Sequence, residues 1–405
     1  MRELNRTRDV QNKRSRRWRV LLPYLILFVG LLFTLVVYYY FAKLTFEQDQ
    51  SRFQQNVQEL QDRIRLKIAT SITLLHAGSG LFAASDRVAA EEFHRFVERL
   101  DLHRNYPGIQ AIGYSRSFTR AERDALVRQM RASVHEDFRI RPEGERDQYT
   151  AIIYIYPLGN RNEQAIGYDM FADPVRRQAM EKARDTGTSS ASGRVRLVQE
   201  PDVEGQHGFL IYAPVYRNGA PLSTEEERQK ALVGYVYSPY RIDDFLGPLT
   251  AAATDVSVQV YDGDEVNAAN FLHGTRNEAA PNDPRFTKND KLDVAGRTWT
   301  LSYAIRPSFA RGSSGPLLKY TIIVGALLSF LFFAVTRAEV RARSRAEDWA
   351  EEVRESEAAI GEANERALLE YERLLERISS LAQLLGTARE LNTIFRGLRE
   401  FTTVS

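Results

Sequence analysis

The sequence predicts an α+β protein with two transmembrane helices and a cytoplasmic coiled coil. Two apolar stretches, 21–42 and 317–336, bracket about 270 more polar residues, and each can cross a ~30 Å hydrocarbon core as a helix. Between them, short β-type runs alternate with helical signals, which is the pattern of an α+β fold. A heptad repeat follows the second stretch.

Basic residues flank both apolar stretches. They lie before the first span at Arg2, Arg6, Arg8, Lys13, Arg14, Arg16, Arg17 and Arg19, and after the second at Arg337, Arg341, Arg343 and Arg345. Positively charged flanks stay in the cytoplasm and attract anionic membrane lipid. We therefore expect a multi-pass protein of the cell (inner) membrane, with a basic cytoplasmic segment 1–20, both termini inside, and residues 43–316 outside.

The first span is predicted to be an uncleaved anchor. Its apolar run is too long for the core of a signal peptide, and Tyr38, Tyr39 and Tyr40 stand where a cleavage site would need small residues. Residues 43–77 then form a predicted stalk helix, with apolar residues at Phe46, Phe53, Val57, Leu60, Ile64, Ile68, Ile72 and Leu75. Such a helix is ~45 Å long at 1.5 Å per residue.

The stalk is expected to break at Gly78 and Gly80, and a second helix, Ala89 to Leu100, is expected to start after the cap-type pair Ser85 and Asp86. The remainder of the predicted sensor block, 78–305, contains β-type runs at Ile109–Ser115, Ala151–Tyr156, Arg194–Val198, Phe209–Tyr216, Leu232–Tyr237, Val256–Tyr261 and Thr298–Ile305. Helical signals lie at Arg120–Ser133, Pro174–Thr186 and Arg241–Leu249. This block is large enough for one large sheet domain or two small ones. Residues 306–316, rich in glycine and serine, are predicted to be a linker.

The cytoplasmic segment 337–390 is predicted to form a parallel coiled coil. Apolar residues recur at two heptad positions, and the inner residues that should carry dimerisation are Asn364, Tyr371, Leu374, Ile378, Leu381 and Leu385. Asn at an inner position is the residue type that fixes register and a two-stranded state. We therefore expect a homodimer.

Composition and motifs exclude several functions. The chain has a formal net charge of +2 and no cysteine, which points to no nucleic acid partner and excludes thiolate nucleophiles. No two of the six histidines have metal-ligand spacing, and all six precede the second span, so no cytoplasmic histidine is present to accept a phosphoryl group. We predict no catalytic residue, no metal site and no cofactor within the chain.

Short motifs across Ala69–Pro248 resemble the CHASE domain, an extracellular sensory module of bacterial receptor kinases and cyclases and of plant cytokinin receptors. They are Tyr106-Pro107-Gly108-Ile109, Gly167-Tyr168-Asp169-Met170, Arg177 to Gly187, Ala213-Pro214-Val215-Tyr216, Glu225 to Arg228, Gly234-Tyr235-Val236 and Ile242 to Phe245. The resemblance implies a stalk helix followed by two PAS-like subdomains, a dimer, and a small-molecule ligand in the membrane-distal subdomain.

The resemblance also implies ligand contacts. An Asp in a matching Asp-Met motif of the plant receptors bonds the ligand, which corresponds to Asp169, and a Leu of the following strand corresponds to Leu197. Where the plant receptors have a small Thr, this chain has Tyr212. This larger ring should reshape the pocket floor, so a cytokinin is not the expected ligand.

The C-terminal segment of the sequence does not determine the type of cytoplasmic output. Residues 391–405 resemble the entry to a GAF domain. The chain is then the input module of a receptor with a cytoplasmic output domain or kinase as partner, or a fragment of a sensor histidine kinase or diguanylate cyclase whose catalytic domain follows Ser405. The other alternative is a non-signalling, membrane-anchored structural protein.

Overall fold

The computed structural model describes residues 2–197, 207–274, 284–315 and 317–401. The chain divides into two compact units, Ala42–Pro316 and the pair of segments Met1–Phe41 with Leu317–Ser405. The longest elements are helix α1 (Arg2–Ala83) and the last helix, Leu317–Phe401. Each contains a stretch that is long and apolar enough to cross a membrane.

In the unit of Met1–Phe41 and Leu317–Ser405, small residues bring the two apolar stretches together. A methyl group added at Gly30 would lie 2.7 Å from Ser329 Oγ, and Gly325 faces Thr34 in the same way. The rings of Tyr24 and Phe333 meet edge to face, with centroids 5.4 Å apart. Small residues at such crossings let helix backbones approach closely.

The unit Ala42–Pro316 contains the sheets. Its strands are β1 (Ile112–Thr119), β2 (Gln148–Tyr156), β3 (Ser190–Ala191), β4 (Gly208–Tyr216), β5 (Leu232–Arg241), β6 (Val256–Asp262), β7 (Phe271–His273), β8 (Thr287–Val294) and β9 (Arg297–Ile305). They form a five-stranded sheet in the order β2-β1-β5-β4-β3 and a four-stranded sheet in the order β7-β6-β9-β8. All the pairings of these strands are antiparallel.

Helices after α1 surround these sheets or join them. They are α2 (Ala90–Leu100), α3 (Leu102–Asn105), α4 (Arg123–Ser133), α5 (Asn160–Glu163), α6 (Pro174–Thr186), α7 (Glu225–Ala231), α8 (Ile242–Ala252) and α9 (Pro307–Arg311), and the last helix, Leu317–Phe401, is α10. This mixture of antiparallel sheets and flanking helices confirms the α+β class.

Helix α1 packs its apolar stripe against both sheets. The stripe that the periodicity identified is buried at Phe53, Val57, Leu60, Ile64, Ile68 and Leu75, in one continuous core with residues of both sheets. Near its start in this unit, Arg52 Nη2 lies 2.5 Å from Asp255 Oδ2. Near its end, Gly78 lies against Val236 of β5. The apolar stripe of α1 therefore packs with residues of both sheets in one core.

Several predicted boundaries are wrong. Helix α1 continues through Gly78 and Gly80 to Ala83. The residue that caps α2 is Ala89, whose N–H donates to Glu92 Oε2 at 2.9 Å, and not Ser85 or Asp86. Strand β3 is a two-residue pairing rather than Arg194–Val198, where Val195 makes only an isolated bridge to Gly208 and Val198 lies outside the described residues.

Other predictions start a strand at the wrong residue or omit an element. The first strand starts at Ile112 and not at Ile109. Helix α7 and strands β7 and β8 were not expected, and the predicted linker contains α9, whose Phe309 is buried. In contrast, α6 is confirmed as Pro174–Thr186, because Asp173 Oδ1 accepts from the N–H groups of Val175 and Arg176 and Gly187 has a φ of 72°.

Candidate functional site

The five-stranded sheet is covered on both faces. Successive side chains of a strand point to opposite sides, so Ile211 and Ala213 of β4 join the core against α1, while Leu210 and Tyr212 join a separate buried cluster. Met180 of α6 belongs to that second cluster. We call this side the α6 face, and it is where the predicted ligand contacts fall.

Tyrosine rings fill the centre of the α6 face. Tyr212, Tyr235 and Tyr237 have no solvent exposure, and the ring centroid of Tyr212 lies 6.1 Å from that of Tyr235 and 6.2 Å from that of Tyr237. The hydroxyl of Tyr235 donates to the Met180 carbonyl at 2.9 Å, and that of Tyr212 lies 3.8 Å from Met170 Sδ. The ring of Tyr237 lies where a side chain at Gly113 would stand. Glycine at 113 therefore makes room for this ring.

The Tyr237 hydroxyl is buried without a hydrogen-bond partner among the described residues. Burial raises the pKa of Tyr237, and it also raises the pKa of Tyr212. Both rings are therefore neutral at physiological pH. A neutral hydroxyl can donate one hydrogen bond, and an unsatisfied buried donor costs free energy.

Asp169 lies beside the edge strand β2, between Tyr168 and Met170, which both pack in the α6-face cluster. Its Oδ1 accepts from Thr150 N at 2.8 Å and from Phe171 N at 3.1 Å, while its own N–H donates to the Arg141 carbonyl at 2.6 Å. Its Oδ2 lies 3.3 Å from Arg146 Nη1 but makes no hydrogen bond of good geometry among the described residues. The carboxylate thus joins β2, the preceding loop and the 3₁₀ turn Met170–Ala172.

Burial dominates the electrostatics of Asp169. The side chain has no solvent exposure, and this desolvation raises its pKa. The two backbone N–H donors and the nearby charges of Arg146 and Arg177 act in the opposite direction. One oxygen therefore has a structural role, and Oδ2 is the atom that remains to accept a hydrogen bond from another group.

Leu197 and Tyr212 are brought together on the α6 face. Both belong to its buried cluster, and Met170, which contacts Tyr212, is the residue after Asp169. The three predicted ligand contacts therefore border one region of the sheet. The side chains of this region are packed, with Leu197 and Tyr212 at 5% and 0% exposure.

Arg176 of α6 is a residue that the sequence analysis did not identify. It is 2% exposed, donates from Nη2 to the Arg196 carbonyl at 2.7 Å, and places its guanidinium over the Tyr168 ring at 5.1 Å. Its Nε lies 3.5 Å from Asp173 Oδ2 but lacks a hydrogen bond among the described residues. A buried cation near Tyr212 and Tyr237 adds positive charge to the α6 face. In the sequence, its only signal is the pair Arg176-Arg177 in the first turn of a capped helix.

The predicted dimerisation residues lie on α10. In the single chain, Tyr371, Leu374, Ile378, Leu381 and Leu385 are 55% to 69% exposed, and Asn364 is exposed too. A metal-binding group of three or more His, Asp or Glu is not found within the described part of the chain.

Residues 86–273 match the family model described as CHASE domain, inside the block predicted to be the sensor. A curated relative, "Hybrid signal transduction histidine kinase A" of Dictyostelium discoideum, is 26% identical over 269 residues, which are 58% of this chain. The match spans only 12% of that relative's length.

Two solved structures show remote similarity. The periplasmic sensory domain of the Campylobacter jejuni chemoreceptor Tlp1 has a TM-score of 0.37 and 12% identity, covering 66% of this chain and 96% of that one. An extracellular ligand binding receptor from Desulfohalobium retbaense has a TM-score of 0.35 and 14% identity, covering 62% of this chain and 39% of that one. The family match, with its motifs in order along the sequence, identifies the segment from residue 86 to residue 273 as a CHASE domain.

Proposed function

We propose that this protein is the input module of a membrane-anchored receptor, which binds a small extracytoplasmic ligand and transmits the signal to a cytoplasmic output. The observation that carries the proposal is the position of the CHASE domain, residues 86–273, between two helices that are apolar and long enough to span a membrane. A sensor placed there is useful only if ligand binding is communicated across the membrane.

The proposed ligand site is the α6 face of the five-stranded sheet. The strand order β2-β1-β5-β4-β3 is consistent with a membrane-distal PAS-like subdomain, and the four-stranded sheet with a second, membrane-proximal one. Leu197 and Tyr212 pack in this face and Asp169 is adjacent to it, which supports the ligand contacts that the family resemblance implies. Two buried polar atoms, Arg176 Nε and Tyr237 Oη, lack hydrogen bonds among the described residues and are ready to be satisfied by a ligand.

Because the α6 face is packed with tyrosine and methionine side chains, ligand entry requires them to move. Met170 and Met180 are flexible, unbranched side chains that can adopt new rotamers at low cost. Binding would then select an arrangement of α6 that differs from the unliganded one. A ligand that prefers this arrangement shifts the population of receptors toward it.

The proposed output path runs through a homodimer. Pairing of α10 along Asn364, Tyr371, Leu374, Ile378, Leu381 and Leu385 would bury the apolar seam that is exposed in the single chain. Similarity to a hybrid histidine kinase favours a kinase as the cytoplasmic output. A diguanylate cyclase is the alternative output. The basic residues that flank the two spans would contact anionic lipid.

The experiment combines a ligand screen with a measurement of cross-linking between two α10 helices. The chain has no cysteine, so a single Leu374→Cys variant gives a specific disulfide cross-link between two α10 helices. The intact protein in lipid nanodiscs is screened by thermal shift against small metabolites, and each hit is tested for its effect on cross-linking. A hit that changes the cross-linking rate supports the receptor function, whereas hits that bind without changing it argue against transmission.

A further inference from the structure

A cavity of about 500 Å³ lies on the opposite face of the five-stranded sheet from Tyr212. Its walls come from the end of α1, the start of α2, helix α4 and strands β1 and β2. This volume is within the range of small-molecule sites in proteins, roughly 300–1,000 Å³. The α1 core, not the α6 face, supplies its buried residues, so it is separate from the ligand site proposed above.

Aromatic rings form one wall of this cavity, which we call the α1-end cavity. Phe82, in the last turn of α1, stacks on Tyr114 with centroids 4.1 Å apart and planes at 25°. Tyr114 of β1 is paired across the sheet with Tyr154 of β2, and their ring centroids lie 6.0 Å apart. Phe93 of α2 continues the row at 5.8 Å from Tyr154. A flat ring can lie against such a wall.

Two guanidinium groups, Arg87 and Arg116, also line the α1-end cavity. Arg116 is half-buried, and neither has a hydrogen bond or an ion pair within the part of the chain that the structure describes. The charge of Arg116 also acts on Glu122, whose Oε2 accepts from Thr119 N at 2.8 Å. Burial raises the pKa of Tyr154, and both Arg87 and Arg116 act against this rise, which places both cations near the aromatic wall.

Two carboxylates, Asp86 and Glu91, also line the α1-end cavity. Both are exposed, whereas Arg116 is half-buried. Glu92 does act on Tyr154, but its Oε2 already accepts from Ala89 N at 2.9 Å. The less exposed part of the cavity wall is therefore aromatic, and Arg116 is the charged group that lies within it.

We infer that the α1-end cavity binds a small aromatic carboxylate, with its ring against Tyr114 and Tyr154 and its anionic group on Arg116 and Arg87. A guanidinium can hold a carboxylate by two parallel N–H···O bonds, and a partly buried site strengthens such a pair. Because Phe82 belongs to α1, an occupant would contact the helix that also contains the first apolar span. This site would act in addition to the ligand site proposed on the α6 face.

The test measures binding of 2-naphthoate to the intact protein in lipid nanodiscs by calorimetric titration, with 2-naphthamide as the uncharged analogue. We expect saturable binding of 2-naphthoate and at least ~10-fold weaker binding of 2-naphthamide. Arg116→Gln should lower the affinity for 2-naphthoate by about tenfold or more. Arg87→Gln, at an exposed position, should also lower the affinity for 2-naphthoate. The matched control is Arg128→Gln on the solvent side of α4, which should leave affinity unchanged.

Two further variants locate the bound probe. Ser133, at the end of α4, is exposed and lines the cavity, so Ser133→Trp places a large ring at the cavity wall. This variant should abolish binding of 2-naphthoate and keep the wild-type thermal midpoint. Asp169→Asn should have no effect, because Asp169 is not among the residues that line the cavity. Equal binding of the two naphthyl compounds, wild-type affinity in Arg116→Gln or Ser133→Trp, or no saturable binding of 2-naphthoate would overturn the inference. Loss of binding in Asp169→Asn alone would place the probe on the α6 face and equally overturn it.

Discussion

Gly78 of α1 and Val236 of β5 are in direct contact, and a methyl group at residue 78 would come within 2.8 Å of Val236 Cγ1. Atoms at that separation overlap, so only glycine allows α1 to lie this close to the sheet. Gly80, two residues later in the same helix, has nothing within 4 Å of the equivalent position. The same residue type therefore has different consequences at two neighbouring sites.

The substitutions Gly78→Ala and Gly80→Ala should change stability in opposite directions. At residue 78 the added methyl overpacks the α1 core, and we expect a loss of ~1–3 kcal/mol. At residue 80 the methyl is free, and better helix propensity should stabilise the protein by ~0.5–1 kcal/mol. Thermal unfolding of the intact protein, followed by near-ultraviolet circular dichroism, measures both. Equal shifts of the two midpoints would contradict the packing described for Gly78.

The hydroxyls of Tyr235 and Tyr237 offer a second matched pair. Tyr235→Phe removes a hydrogen bond to the Met180 carbonyl and should destabilise the protein by ~0.5–1.5 kcal/mol. Tyr237→Phe removes a buried hydroxyl that has no partner in the described structure, so stability should stay level or rise. The same variant should weaken any ligand that hydrogen-bonds to this hydroxyl. A loss of stability in Tyr237→Phe as large as that in Tyr235→Phe would show that the Tyr237 hydroxyl is satisfied.

The raised pKa of Asp169 predicts a pH dependence of stability. Since burial raises the pKa in the folded state above the unfolded value of about 3.9, the folded protein binds the proton more tightly. The contribution of this group is therefore most favourable below the unfolded pKa and is lost as pH rises through the folded pKa. Asp169→Asn cannot ionise and should lack this trend.

The measurement for Asp169 is the difference in thermal midpoint between wild type and Asp169→Asn across the acid range. As pH rises from about 4, the wild-type midpoint should fall relative to that of the variant. A difference that is constant, or that changes in the other direction, would mean that the backbone donors and Arg146 outweigh desolvation. If a ligand from the screen bonds Asp169 Oδ2, the variant should also bind it ~1.5–3 kcal/mol more weakly.

Charged substitutions on α10 test the proposed dimerisation seam. The pair Leu374→Glu and Leu381→Glu should leave monomers, because each inner position loses burial worth ~1.5–3 kcal/mol and like charges repel. The control pair, Leu369→Glu and Gln383→Glu, occupies the outer f position of two heptads and should leave dimers intact. The mass of the intact protein in nanodiscs or detergent distinguishes the two states. Unchanged dimers in the first pair would exclude this seam as the interface.

Periodic segments of the sequence were predictive where one physical signal dominates. The stripe of α1 and the capped helix α6 follow directly from apolar spacing and from Asp173, Pro174 and Gly187. Gly78 was misinterpreted because a glycine at a close contact looks the same in sequence as one at a helix end. Strand β3, with only two residues, is too short for any alternation to be visible.

The candidate site was only partly predictable for a similar reason. Leu197 and Tyr212 came from the family resemblance, and the structure brings both to the α6 face. Arg176 was missed because an arginine in the first turn of a polar helix resembles a solvated residue, and its partner, the Arg196 carbonyl, is defined only by the fold. The α1-end cavity is likewise built from several separate elements that no local pattern connects.

The central claim, that the CHASE domain lies outside a membrane whose other side holds α10, is tested most directly by cysteine labelling. The chain has no cysteine, so the exposed positions Glu226→Cys of α7 and Glu351→Cys of α10 each provide one thiol. Intact cells are treated with a membrane-impermeant maleimide. We expect labelling of the variant at residue 226 without permeabilisation, and of the variant at residue 351 only after it. Protection of residue 226 in intact cells, or labelling of residue 351, would contradict the receptor topology.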